Sequence, residues 1–374
     1  MKTEILAASL GRRSWHGHPA DPSEPEVTAT TAAVELLRKG DVVALPTETV
    51  YGLAADALSS IAVAKIFEAK QRPRFDPLIV HLPDEQWLER VARIDNHSRT
   101  HITNLIAQFW PGPLTLVLPR QPVVPEIVTA GLDTVAVRMS SHPLFTEIIS
   151  AFGKPLAAPS ANRFGRISPT TAQHVFGELN GRIPLIIDSG PTMQGIESTI
   201  VAVSEDKIDI LRRGPITVEQ LAEFGPVEVT SASKAVSAPG QLPSHYAPKT
   251  PLSLIDDAES FEPMKNRRVG LLAWNTKPRK GDLQIVQRYT LLRQSYGGQP
   301  ADRHSLKFAA VRYLSEQQDL REAASNLFRF LRELDDLNLD LIVAERVPAQ
   351  GLGAAILDRL ERASHDSDNL GTPE

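Results

Sequence analysis

Thr134-Val135-Ala136-Val137-Arg138-Met139 is the stretch whose reading decides the fold. Apolar and small residues alternate, so a strand here sets Thr134, Ala136 and Arg138 on one face and Val135, Val137 and Met139 on the other. An arginine in mid-strand is the informative departure, because a buried guanidinium stays charged and must be paired. Two further runs repeat the pattern. In Leu78-Ile79-Val80-His81-Leu82 the alternation puts His81 with Ile79, and in Leu114-Thr115-Leu116-Val117-Leu118 it isolates Thr115. One such polar residue is usually a satisfied core group. Three strands pointing such groups into one concavity would not be a coincidence of packing.

Outward from these runs, helical and strand patterns alternate without a fixed repeat, which means α/β or α+β and excludes a solenoid. Thr28 to Lys39 is an amphipathic helix stopped by Gly40, and Ser59 caps a second helix that runs to about Lys70 and cannot pass Pro73. Strands are expected at Val42 to Leu45, Pro184 to Asp188, Thr199 to Val203 and Ile208 to Arg212, with helices at Ile102 to Phe109, Pro143 to Phe152, Thr170 to Leu179 and Val218 to Phe224.

Four segments follow. Residues 1–26 read as an opening strand and a polar tether, since Lys2 and Glu4 precede too short an apolar run for a leader. Residues 27–227 carry the alternation. Residues 228–251 lose it to serine and proline and form a semi-rigid strap. Residues 252–374 show strands at Leu252 to Asp256, Val269 to Trp274 and Leu339 to Val343, with helices around Leu306 to Phe330 and Gly353 to Ser364, a small doubly wound domain.

Composition removes whole classes of function. The 374 residues hold no cysteine, so disulfides, thiolate metal sites and a cysteine nucleophile are excluded. No apolar run approaches the roughly 18 residues of a membrane span. Net charge −5 argues against nonspecific nucleic-acid binding on a broad basic face, and a local pocket for a small polyanion suits better. There is no GxxxxGK[ST], HExxH or GxSxG, and Gly351-Leu352-Gly353 reads as helix packing rather than a dinucleotide fingerprint.

The loops carry the candidate chemistry. Pro46-Thr47-Glu48-Thr49-Val50-Tyr51-Gly52-Leu53 follows a strand end, where ligands of α/β sheets bind, although alone it reads as an ordinary turn. Lys70, Arg72 and Arg74 leave a helix on a path stiffened by Pro73 and Pro77, as a polyanion site requires. Ala158-Pro159-Ser160-Ala161-Asn162 ends a short strand with donors and acceptors. Ser168-Pro169 has the form of an N-cap and N1 pair opening a helix at Thr170, whose amides suit phosphate. Glu197-Ser198-Thr199 opens a strand, and Leu211-Arg212-Arg213-Gly214-Pro215 closes one.

Taken in order, PTETVYGL at 46–53, Lys70-Gln71-Arg72, PLIVH at 77–81, WPGPLT at 110–115, AGLDTVAVRM at 130–139, APSAN at 158–162, ESTI at 197–200 and LRRGP at 211–215 resemble the Sua5/YrdC/YwlC family of threonylcarbamoyl-AMP synthases. The tail, with Ser244-His245-Tyr246-Ala247-Pro248, is similar to the longer Sua5 form. The resemblance implies a YrdC-like twisted α/β sheet around a concave cationic cavity, followed by a smaller Rossmann-like domain. It implies that L-threonine, bicarbonate or CO2 and ATP become threonylcarbamoyl-AMP, pyrophosphate and water, for N6-threonylcarbamoyladenosine in tRNA. Mg²⁺ would be held mainly through the ATP phosphates.

Residue by residue, the resemblance assigns Lys70, Arg72, Thr115, Ser160, Asn162, Ser168 and Arg212 to ATP, with Lys70 and Arg72 as the catalytic cations. It assigns Thr47, His81, Arg138 and Ser198 to L-threonine, and His245 and Tyr246 to a lid. Arg213 beside Arg212 leaves open which contacts ATP, and Arg74 has no assigned role. A cytoplasmic location, a partnership with the tRNA-modifying machinery and no membrane partner are the matching expectations, with direct tRNA binding left open. The rival is a noncatalytic RNA- or tRNA-binding module on the same fold. A hydrogenase-maturation carbamoyltransferase would bring cysteine zinc motifs, which the sequence lacks.

Overall fold

The computed structural model describes residues 1–8, 28–204, 207–230, 246–275 and 307–364. It divides into two compact units, Met1–Leu242 and Pro243–Glu374. The division falls inside the 228–251 strap, so its last residues belong with the second unit.

In the first unit the described strands are β1 (Glu4–Ala7), β2 (Val43–Leu45), β3 (Gly52–Asp56), β4 (Ile79–His81), β5 (Leu114–Pro119), β6 (Thr134–Arg138), β7 (Leu156–Ala157), β8 (Leu185–Asp188), β9 (Thr199–Val203), β10 (Ile208–Arg212) and β11 (Val227–Val229). They form one mixed sheet in the order β1-β8-β2-β3-β7-β4-β6-β5-β9-β10-β11. The opening strand pairs parallel to β8, with Glu4 beside Leu185. Strand β3 was not expected: the PTETVYGL loop turns straight back, and Leu45 pairs antiparallel with Gly52.

Local chemistry sets the element ends. Thr28 caps the helix Ala29–Arg38 by accepting from the Thr31 amide, and Gly40 at φ 71 closes it. Ser59 accepts from the Ala62 amide to cap the helix Ser60–Lys70, which ends at Gln71 in the left-handed region, φ 54. That reversal turns the chain within one residue and leaves Lys70 at the helix end.

The strand alternation segregates as period-2 burial demands. One face, with Val80, Leu116, Leu118, Val135, Val137 and Val201, packs against Ile102, Leu105 and Ile106 of the helix Arg99–Phe109. The other carries a small apolar floor of Ile79, Ala136 and Ile200, flanked by Val117 and Leu211. Above that floor stand the polar residues described below.

Among the described residues the second unit has a four-stranded parallel sheet of β12 (Leu252–Ile255), β13 (Val269–Ala273), β14 (Ala310–Tyr313) and β15 (Leu341–Glu345), in the order β12-β15-β13-β14. One expectation is corrected here. The helix expected over Leu306 to Phe330 instead spans Leu320–Asp335, because Asp319 caps it by accepting from the Arg321 and Glu322 amides. Residues 310–313 upstream form β14. Gly353 opens the last helix, Leu352–Ser364, under the Pro348 carbonyl, where a Cβ would lie 2.0 Å from that oxygen. The glycine serves close packing.

Among the described residues no helix is long and apolar enough to cross a membrane.

Candidate active site

Strand pairing converts the three sequence patterns into one row. Parallel β4 and β6 set His81 beside Arg138. Antiparallel β5 and β6 set Leu116 beside Val137, so one step along the ladder carries Thr115 to Arg138. Parallel β5 and β9 set Thr115 beside Ile200, and a register shift in β10 brings Arg212 to Ile200. Lateral neighbours in a sheet share a face. His81, Arg138 and Thr115 therefore stand side by side above the apolar floor, with Arg212 at the end of the row.

Thr115 and Ser198 hydroxyls meet at 2.8 Å, and Arg212 donates from Nη2 to Ser198 Oγ at 3.0 Å and from Nε to the Ser198 carbonyl at 3.1 Å. The guanidinium that joins this network is thus Arg212; Arg213 is half-buried beside it. Gly214 makes the arrangement possible. A Cβ there would lie 2.4 Å from Thr199 N and 2.6 Å from both Glu197 O and Ser198 C. All three are backbone atoms that cannot give way. Gly214→Ala is expected to destabilise the protein by about 1–3 kcal/mol, as overpacking does, read as a lower urea midpoint; an unchanged midpoint would refute this packing account.

A second cluster holds the other cations. Lys70 is 1% exposed, and its Nζ donates to the Ser160 and Asn162 carbonyls, each at 2.5 Å. Burial, helped by the Arg72 charge, pushes its ammonium well below the usual lysine range. Arg72 binds the Asp76 carboxylate at 2.9 Å, the Asp76 carbonyl at 3.1 Å and the Pro77 carbonyl at 2.8 Å. Asp76 is fully buried, which raises its pKa, against the pull of Arg72, Lys70 and Arg212. The same three cations thus act on one carboxylate. Asn162 donates from Nδ2 to the Arg163 and Arg166 carbonyls at 2.9 and 2.7 Å, leaving Oδ1 buried without a partner.

Arg138 is 3% exposed. Its Nη2 donates to Glu48 Oε1, its Nη1 to Thr49 Oγ1 at 3.2 Å, and its Nε is buried without a partner. Ser140 donates to the other Glu48 oxygen at 2.5 Å. His81 packs on Phe145, ring centroids 4.8 Å apart, and its Nδ1 has no partner. Burial and then the Arg138 charge lower its pKa well below the ordinary range. A histidine depressed in this way binds protons first in the unfolded state, so the stability it contributes above about pH 6.5 is lost as pH falls from there toward its folded pKa. His81→Asn is expected to flatten that acid loss relative to wild type, in denaturant midpoints compared at neutral pH and near pH 5; parallel curves would contradict it.

Several expected residues have local work. The Thr47 hydroxyl donates to the Val50 carbonyl at 2.6 Å and accepts from the Thr49 and Val50 amides, so it closes the turn. Ser168 does not cap a helix. Its hydroxyl donates to Glu197 Oε1, and the helix begins at Ala172 with Thr171 as cap. Thr171 wins because its hydroxyl accepts from the His174 amide at 3.2 Å. Ser160 is half-buried, bridged to Gly52. Tyr246 is 1% exposed within the second unit, stacked 5.5 Å from the Phe328 ring with the Arg359 guanidinium 5.3 Å from its own. His245, the other lid candidate, lies outside the described residues.

Glu48 and Asp76 are functional residues with no expected role from the sequence. Glu48 sits inside PTETVYGL and Asp76 just before PLIVH, and the need of each buried cation for a counter-charge was the signal that pointed to them.

A mixed sheet presenting a row of buried cations and hydroxyls on one face, joined to a small parallel α/β unit, defines the YrdC-like class with a Rossmann-like tail. Residues 35–214 match the Sua5/YciO/YrdC family model, described as telomere recombination, and residues 216–365 match the model described as threonylcarbamoyl-AMP synthase, C-terminal domain. The chain belongs to the Sua5/YrdC family of threonylcarbamoyl-AMP synthases. Relatives of that name include proteins of Bacillus subtilis, 39% identical over 91% of this chain and 94% of theirs, and Pyrococcus abyssi, 38% identical over 89% and 93%. The crystal structure of P. abyssi Sua5 complexed with L-threonine superposes with a TM-score of 0.74 at 35% identity, covering 97% of this chain and 98% of that one.

Proposed function

We propose that this protein is an L-threonylcarbamoyladenylate synthase, converting L-threonine, bicarbonate or CO2 and ATP into threonylcarbamoyl-AMP, pyrophosphate and water. The observation that carries the reading is the convergence on one sheet face of a buried arginine, Arg138, with the Thr115–Ser198–Arg212 network at the end of the same row. Arg138, with a buried unpartnered Nε, suits the threonine carboxylate; His81 and Ser198 flank it. Lys70, Arg72 and Arg212 suit the phosphates, with Thr115, Ser160, Asn162 and Ser168 around them.

The chemistry needs charge and position rather than a nucleophile. The threonine amine takes up CO2 as a carbamate, a carbamate oxygen attacks the α-phosphorus, and pyrophosphate leaves. Lys70 and Arg72 would stabilise the charge that gathers on the departing pyrophosphate, and the fixed row would hold carbamate and phosphorus together. Mg²⁺ would be carried in on the ATP phosphates, where it supplies neutralising charge. The reading places the enzyme in the cytoplasm, supplying the machinery that modifies tRNA.

Pyrophosphate release from ATP that requires both L-threonine and bicarbonate, with threonylcarbamoyl-AMP detected by mass spectrometry, is the expected result. ATP left intact under those conditions would favour the noncatalytic RNA-binding module.

A further inference from the structure

We propose that Glu48 is a specificity-determining residue for the amino-acid substrate: together with Arg138 it forms a charge-compensated pair that selects a zwitterion, with carboxylate on Arg138 and ammonium on Glu48. The proposal rests on the threonine reading above and gives a role to a side chain which that reading leaves without one.

Glu48 is held from every side. Its Oε1 accepts from Arg138 Nη2 and its Oε2 from Ser140 Oγ at 2.5 Å, while its backbone carbonyl accepts from the Gln194 amide at 2.9 Å. The turn closed by Thr47 fixes the backbone at its own position. The side chain is 1% exposed. Yet its acceptor capacity is not used up, because a carboxylate offers about four lone-pair sites and two are engaged. Arg138 likewise keeps a buried Nε–H without a partner. Adjacent groups of opposite charge, each with unused hydrogen-bonding capacity, match the two ends of an α-amino acid.

The compensation also solves a discrimination problem. Arg138 shares its sheet face with Thr115, and Arg212 lies at the end of that row. An uncompensated guanidinium there would draw any anion, the nucleotide's phosphates and simple carboxylic acids included. Glu48 brings the local charge to zero, which disfavours a bare anion while the ammonium of an amino acid restores the attraction. An ion pair with a structural role alone would lower stability and turnover without changing the preference between substrate-like ligands.

The test uses the full chain. In Glu48→Gln the KM for L-threonine is expected to rise about tenfold or more, the scale of one hydrogen bond to a charged group, with the KM for ATP changed less than about threefold. The Ki of 3-hydroxybutyrate, the threonine skeleton without its amine, is expected to fall several-fold as the compensating charge is lost. Equal changes in both KM values, or an unchanged Ki, would overturn the proposal. Ser140→Ala loosens Glu48 without altering its charge and should raise the threonine KM about two- to fivefold; if Glu48→Gln does not fold, an unchanged threonine KM in Ser140→Ala overturns it. Should the wild-type protein release no pyrophosphate with threonine, the synthase reading fails. Calorimetric binding of L-threonine against 3-hydroxybutyrate then tests the pair alone, and equal affinities would reject it.

Discussion

Lys70→Ala is expected to release pyrophosphate about ten to a hundred times more slowly than wild type while remaining folded. The ammonium sits at the end of the helix Ser60–Lys70 and fastens the Ser160 and Asn162 carbonyls at 2.5 Å, so it positions the APSAN loop as well as carrying charge. Truncation removes a cation from the phosphate cluster and leaves two carbonyls short of a donor. Some stability is lost, about 1–3 kcal/mol for such a buried group, but the helix keeps Ala62, Val63, Ile66 and Phe67 in the main core. The measurements are pyrophosphate release with saturating L-threonine and bicarbonate, and a thermal melt on the same sample. Wild-type turnover in the folded variant would remove Lys70 from the catalytic assignment.

The largest expected loss of stability belongs to Arg138→Ala. Removing the guanidinium leaves the Glu48 carboxylate buried with only Ser140 as a side-chain donor. Breaking one side of a buried ion pair costs about 3–5 kcal/mol, far more than the pair itself contributes, because an uncompensated charge stays behind. Adding Glu48→Gln to the variant should therefore recover a large part of the loss in urea unfolding, although not the activity, since the carboxylate-binding group is still absent. A double variant no more stable than Arg138→Ala would show that the two side chains are not coupled.

Much of the first unit was legible because its signals are local. Thr28, Ser59 and Gly40 stop or start helices through hydrogen bonds made within a few residues. Where the competing partner was distant the reading failed. Ser168 looks like a cap until Glu197, far along the chain, takes its hydroxyl. Residues 310–313 became a strand only because β13 offers them a parallel edge.

The sequence by itself determined which residues share a face, because alternation along a strand needs no knowledge of neighbours. It placed His81 with Ile79 and Arg138 with Ala136, it isolated Thr115, and it determined the store of cations available for an anionic ligand. Only the tertiary structure decided which strands lie side by side: β4 against β6, β6 against β5, β5 against β9, an order unrelated to their order in the chain. That lateral order is set by which faces can be buried against which helices, a property of the whole domain. It also decided that Arg138 meets Glu48 and Arg72 meets Asp76, since a buried charge takes the counter-charge that the finished packing brings within reach.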